Sequence, residues 1–268
     1  MFKRVVIKLS GEYLAGELSE SGERAGAHFD EAVSGRIAGE ILSVRGRGAE
    51  IGLVIGGGNF WRGAEAPAAM DRVSADKMGM LASVMNAVYL SDAFRRGGAN
   101  ARVLTPFAMG GFTENFNRDL ADAYLVNGDI LIFAGGTGHP FFSTDTIAAI
   151  RGAELNADCV LFAKGVEGVC DADPKKLPVG ATYGVYREIS CRKMIRDGLG
   201  VVDMAAAQLL MQQKVYSVLF DIRREGGIPL ACESNDEILK IGTKIYHNKD
   251  REWEDDLCRN KQIFTKTK

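Results

Sequence analysis

A chain of 268 residues with 46% hydrophobic and 25% charged content can bury a full core, as one large α/β domain or two small ones. A formal charge of −2 and a pI near 6.0 give no polybasic signature for nucleic acid, and no apolar run reaches the roughly eighteen residues of a membrane span. Met1-Phe-Lys-Arg runs straight into a strand with no room for a signal peptide, so a cytoplasmic protein is expected, and five scattered cysteines without a CxxC pair read as small apolar side chains, not as disulfides or a zinc site.

The first predicted strand, Val5 to Leu9, carries Lys8 close to its end and opens into Ser10-Gly11-Glu12. A lysine there sits at the edge where open parallel sheets place their ligands, although a lysine snorkelling to the sheet rim has the same address. After a helix over Ala32 to Arg45, the apolar run Ile51 to Ile55 reads as a buried parallel strand. It ends in Gly56-Gly57-Gly58-Asn59, with Arg62-Gly63 just beyond. Glycines let bare backbone N–H groups approach an anion, and Arg62 adds a guanidinium fork suited to phosphate oxygens. Tight packing of a strand-to-helix turn is the plainer alternative.

A long helix over Ser74 to Arg96 follows. Met78, Leu81, Ala82, Met85, Val88 and Tyr89 recur at three- and four-residue spacing, a stripe that faces the core or another subunit. Strand Ala101 to Leu104, helix Asp119 to Val126 and strand Ile130 to Phe133 lead to a third loop, Gly135 to Asp145. Its glycines and hydroxyls precede a helix over Thr146 to Asn156, so hydroxyls and N–H groups can converge on a phosphate at a positive helix N-terminus. Strands Cys159 to Phe162 and Ser217 to Phe220, with helix Ala205 to Gln213 between them, complete the series. Short apolar runs alternating with helices predict an α/β fold with a mainly parallel sheet and right-handed crossovers. No repeat or low-complexity linker divides it, so one continuous sheet is expected. Three glycine-bearing loops after strands point to phosphoryl chemistry, yet GxxxxGK[ST], the dinucleotide GxGxxG and the protein-kinase motifs are all missing.

Five blocks taken in order resemble the bacterial uridylate (UMP) kinases of the amino acid kinase superfamily. They are Lys8-Leu9-Ser10-Gly11-Glu12, Val54 to Asn59 with Arg62-Gly63, Asp76-Lys77-Met78-Gly79-Met80, Thr137-Gly138 through Asp145, and Asp171-Ala172-Asp173-Pro174. The match runs from Phe2 to about Ile245, and the third and fourth blocks, above all Asp76 to Met80 and Pro140 to Asp145, are particular to the uridylate branch. The resemblance implies a three-layer αβα sandwich, with one kinase domain over 1–246 and a charged tail over 247–268 that lacks a counterpart.

It also implies in-line phosphoryl transfer from ATP to UMP, with Mg²⁺ held largely by the phosphates. Lys8, Arg62 and Asp145 become the catalytic set, with Asp145 orienting Lys8. ATP would lie against Lys8, Leu9, Ser10, Gly11, Gly58 and Arg62, its adenine and ribose among Lys164, Cys170 and Asp173. UMP would lie on Gly57, Asp76 and the loop Thr137, Gly138, His139, Pro140, Phe141, Phe142, Ser143 and Thr144. Asp76 is either a sugar-hydroxyl acceptor or an acid favoured by its helix dipole; Asp203 either supports the phosphate site or is a plain helix N-cap. A homohexamer built from dimers through the Met-rich helix, and a nucleotide effector (GTP or UTP), are the implied partners besides ATP and UMP.

The chain departs from the family pattern at specific places. Phe162 stands where a lysine is customary, with Lys164 either replacing that cation or not, and Cys170 stands where an aromatic faces adenine. The loop Tyr13 to His28 is longer than usual. At the relatives' effector positions Arg102 remains, while Ser91, Arg118 and Asp129 differ. In the tail, Trp253 and Phe264 suggest a solvated segment with one docking anchor. Two other readings are a kinase of this fold with a small carboxylate or carbamate acceptor, and a nucleotide-binding regulator with weakened turnover.

Overall fold

The computed structural model describes residues 1–16, 28–107, 109–174, 176–234, 236–247 and 263–267. The expected strands form β1 (Arg4–Leu9), β2 (Glu50–Ile55), β3 (Ala101–Thr105), β5 (Ile130–Phe133), β6 (Cys159–Lys164) and β10 (Ser217–Asp221). The expected helices form α1 (Glu31–Gly46), α2 (Arg72–Arg96), α3 (Arg118–Val126), α4 (Thr144–Glu154) and α6 (Met204–Gln212). Each of these helices begins behind an acid, amide or hydroxyl residue. Asp30, Asp71, Asn117, Ser143 and Asp203 each accept a hydrogen bond from a backbone N–H of the first turn, which satisfies a donor that has no partner inside the helix.

Shorter elements also occur: β4 (Glu114–Asn115), β7 (Val169–Cys170), β8 (Thr182–Tyr186), β9 (Glu188–Ser190), α5 (Cys191–Arg196), α7 (Gly227–Ala231), β11 (Gly242–Tyr246) and β12 (Ile263–Thr267). Among the described residues, nine strands form one sheet in the order β4-β3-β5-β2-β1-β6-β10-β11-β9. Every pairing in it is parallel except β10 with β11. A second sheet joins β12, β8 and β7. The tail is therefore not wholly a solvated extension: Ile263–Thr267 pairs antiparallel with β8, in register Ile263 to Tyr186. Trp253 and most of the long loop after Tyr13 lie outside the described residues.

Side-chain alternation sorts the sheet into two cores. Val5, Ile7 and Leu9 of β1, with Ile51, Leu53 and Ile55 of β2, pack against α1, α2 and α7. Val6 and Val54, with Val160 and Phe162 of β6, pack against the layer of α3, α4, α5 and α6. The result is a three-layer sandwich. Lys8 shares its face with Val6, and Lys164 shares its face with Phe162, so both lysines leave the sheet on the side of α4. The chain also reverses its lateral direction beside β1, whose neighbours are β2 and β6. At such a switch point the loops leaving adjacent strand ends part and open a crevice.

Candidate active site

Three loops meet at the carboxyl ends of β1, β2 and β5. After β1 the chain turns through Ser10, Gly11 and Glu12, and Gly11 has no room for a side chain, since a Cβ there would lie 2.4 Å from the carbonyl oxygen of Gly56. After β2, Gly57 packs directly on α2, where a Cβ would come within 2.6 Å of the Ala82 Cβ. Tight packing thus requires glycine at both positions. The glycine loop is pinned by buried amides: Asn86 of α2 donates to the Gly56 carbonyl at 2.6 Å and pairs with Asn59. Ser83 accepts from the Gly135 N–H at 2.8 Å, tying the third loop to the same helix.

The resulting cleft encloses about 320 Å³, within the range of small-molecule sites. Its walls include Lys8, Ser10, Gly11, Glu12, Gly57, Gly58, Arg62, Asp76, His139, Phe142, Ser143 and Thr144. These come from four separate sequence blocks. Thr137, Gly138, Pro140 and Phe141 continue the third loop but do not line the cleft, and Leu9 turns its side chain into the core.

Below the cleft lies a charged triad. The Lys8 ammonium bonds Ser10 Oγ at 2.7 Å and lies 3.1 Å from Asp145 Oδ1, an ion pair that is not aligned as a hydrogen bond. Lys164 reaches the other oxygen, Asp145 Oδ2, at 2.5 Å and also donates to the Val201 carbonyl. Period-two alternation brings the two ammonium groups to one face, and the first turn of α4 sets the carboxylate between them. Burial opposes the charge on Asp145, but Lys8 and Lys164 outweigh it and hold its carboxyl below the ordinary carboxylate range. Burial lowers Lys8 below the ordinary lysine value, against the pull of Asp145. Two ammonium groups on one carboxylate leave a net positive charge facing the glycine loops.

Asp76 anchors the opposite wall. Its carboxylate accepts from Arg72 Nε at 2.9 Å and from the Phe141 N–H at 2.9 Å. Phe141 has φ +72°, a left-handed backbone that L side chains rarely adopt, and the Asp76 bond holds it there.

A family model described as the amino acid kinase family matches residues 3–221. A uridylate kinase of Mesorhizobium japonicum is 43% identical over 230 residues, covering 85% of this chain and 91% of that protein. The chain belongs to the amino acid kinase family, on its uridylate kinase branch. The crystal structure of UMP kinase from Bacillus anthracis matches with a TM-score of 0.83 at 34% identity, covering 92% of this chain and 97% of that one. That of UMP kinase from Ureaplasma parvum gives 0.78 at 29% identity, covering 93% and 100%.

Several residues of this family member sit elsewhere than their motifs suggest. Lys164, expected beside adenine and ribose, lies at the triad beside Lys8, because β6 runs two residues past Phe162 and returns to the α4 face. Phe162 itself is fully buried. Asp76 is not an acid of the first helical turn, because α2 begins at Arg72 behind the Asp71 cap. Asp203 is the N-cap of α6, accepting from the Ala206 N–H at 2.8 Å. It also accepts from Thr146 Oγ1 at 3.0 Å and from Ser143, so it braces the head of α4 from outside the cleft.

Cys170 and Asp173 likewise stand apart from the cleft, on β7 and the turn after it. Burial, helped by Asp171, Glu167 and Asp173, pushes the Cys170 thiol up to about 11. Residues that motif reading left without a role are Glu12, Arg72, Ser83 and Asn86. Asn86 carried a signal: it is a polar residue set in the apolar stretch of α2, and it is completely buried.

Proposed function

We propose that this chain is a UMP kinase, transferring the γ-phosphoryl group of ATP to the phosphate of UMP to give ADP and UDP. The observation that carries the reading is the buried Lys8–Asp145–Lys164 triad beneath the glycine loops, within a chain of the uridylate kinase branch. Phosphoryl transfer through a loose transition state requires alignment and positive charge around the moving group, and no covalent partner from the protein. Lys8 faces the moving group, and Asp145 fixes its ammonium. Lys164 adds the second charge on the donor side. Arg62, on the rim between the β1 and β2 loops, bridges donor and acceptor phosphates. Gly11, Gly57 and Gly58 offer backbone N–H groups to the phosphates, with the head of α4 behind them.

UMP takes the side lined by Asp76, His139, Phe142, Ser143 and Thr144, with Asp76 accepting from the sugar hydroxyls. Thr137, Gly138, Pro140 and Phe141 shape the uracil end of that loop. The adenosine part of ATP extends from Ser10 and Gly58 toward Cys170 and Asp173. Among the described residues, no group of three or more His, Cys, Asp or Glu side chains can hold a metal ion. Mg²⁺ would be held largely by the ATP phosphates and water, and would supply charge neutralisation to the transferring group.

The same reading places the protein in the cytoplasm as a homohexamer built from dimers. Among the described residues, no helix is long and apolar enough to cross a membrane. Met78, Leu81, Met85 and Val88 lie along one exposed face of α2 at alternating three- and four-residue steps, which fits the dimer contact. A nucleotide effector would have to displace two carboxylates from Arg102, which pairs with Asp129 at 2.7 Å and Glu114 at 3.2 Å. Incubation with Mg·ATP and UMP, followed by chromatography of the nucleotides, tests the activity. UDP and ADP should appear in equal amounts; ADP without UDP would defeat the assignment.

A further inference from the structure

Glu12 is a carboxylate in a site built for anions. It follows Gly11 in the β1 loop, lines the cleft, and bonds Arg62 Nη2 with Oε1. The same oxygen lies over the glycine loop, 2.8 Å from where a Cβ on Gly58 would be. Glu65 approaches Arg62 Nε only to 3.7 Å, from a far more exposed position. A guanidinium fork has a limited set of donors in one plane, so a phosphate that takes the fork must first remove the carboxylate from it.

We propose that Glu12 is an internal competitor for Arg62: it occupies the guanidinium in the empty cleft, yields it to a nucleotide phosphate, and reclaims it as product leaves. This deepens the kinase assignment and rests on it. The exchange lets the cleft stay electrically satisfied when empty. It also weakens the hold on product by supplying a partner for Arg62 on the way out, which matters because product release limits turnover in many enzymes. Glu12 is in these terms a positioning residue. It acts through Arg62 and touches no reacting atom.

The test is Glu12→Gln, which keeps the shape and removes the charge, with UDP and inorganic phosphate as probes in titration calorimetry at fixed ionic strength. Both should bind about tenfold more tightly than to the parent protein, by a similar factor, since each is relieved of displacing the same ion pair. UDP dissociation should slow in stopped flow. Structural damage weakens binding, so a gain cannot come from misfolding. Glu12→Asp retains charge on a shorter arm, should fall between the two, and decides the matter if the Gln variant does not fold.

In an Arg62→Ala background, Glu12→Gln should change UDP affinity by less than about threefold. Unchanged or weaker UDP binding by Glu12→Gln overturns the proposal. So does a full gain that persists without Arg62, which would mean general repulsion. A parent protein that binds neither UMP nor UDP would instead overturn the kinase assignment.

Discussion

Replacing Lys8 with Met removes one charge from the heart of the site and little else. The methionine fills the space of the lysine stem, and Asp145 keeps Lys164 at 2.5 Å on its second oxygen, so no buried carboxylate is left unpaired. The triad passes from one net positive charge to none. An ammonium aimed at charge that develops during transfer acts like a preorganised oxyanion donor, whose loss costs roughly 10²–10³ in rate, about 2.7–4 kcal/mol. The charge also acts more on the transition state than on bound UMP, so acceptor affinity should change by less than about threefold.

Initial rates of ADP release give kcat, calorimetry gives the UMP Kd, and thermal melting checks the fold. Burial lowers Lys8 below the ordinary lysine value, so the parent rate should fall as pH rises through that lowered value. The residual rate of Lys8→Met should lack that alkaline limb. A kcat within threefold of the parent, or an identical alkaline limb, would remove Lys8 from the mechanism.

Asp76→Ala tests the sugar contact: the parent should prefer UMP over dUMP by roughly ten- to a hundredfold in kcat/KM, and the variant should lose most of that preference through weaker UMP binding. Undiminished discrimination in the variant would move the contact elsewhere. Asp145→Asn leaves two ammonium groups buried together and should destabilise the fold by roughly 3–5 kcal/mol in urea titration. Because the folded carboxyl of Asp145 is depressed, its stabilisation is present above the ordinary carboxylate value and disappears as pH falls through the folded value. The parent should therefore lose stability below about pH 4 in a step that Asp145→Asn lacks, and matching acid profiles would contradict the triad. Met85→Lys puts a charge on the exposed apolar face of α2 and should lower the assembly state in light scattering; an unchanged assembly would place the subunit contact on another surface.

Much of this architecture is legible in the sequence, where burial on both faces leaves unbroken apolar runs. Ile51 to Ile55 and Ile130 to Phe133 announce central parallel strands because no solvent face interrupts them with polar residues. Helix starts are displaced by up to two residues, since Asp71 and Ser143 cap one turn earlier than the apolar pattern begins. β7, β9 and β12 are missed because short or polar edge strands carry no periodicity of their own; their partners define them.

Motif spacing singles out Lys8, Gly57 and Arg62 beside strand ends, Asp76 on α2 and the third loop, and the structure gathers these, with part of that loop, around one cleft. It leaves the contact made by Lys164 open, since the position of that ammonium depends on how far β6 continues and on what α4 presents across the layer. Glu12 was visible as a letter in a motif, but its contact with Arg62 joins two loops some fifty residues apart and exists only in three dimensions.

Coupled ADP release across a panel of acceptors tests the kinase assignment most directly. UMP, CMP, dCMP, GMP, carbamate and a small carboxylate would be compared under saturating Mg·ATP, each scored by kcat/KM. UMP should exceed every other acceptor by at least about tenfold: on the proposed assignment dCMP, carbamate and a carboxylate lack the hydroxyl pair for Asp76, while CMP and GMP carry the wrong base for the loop from Thr137 to Thr144. Preferred transfer to carbamate or a carboxylate, or no transfer to any acceptor, would contradict it.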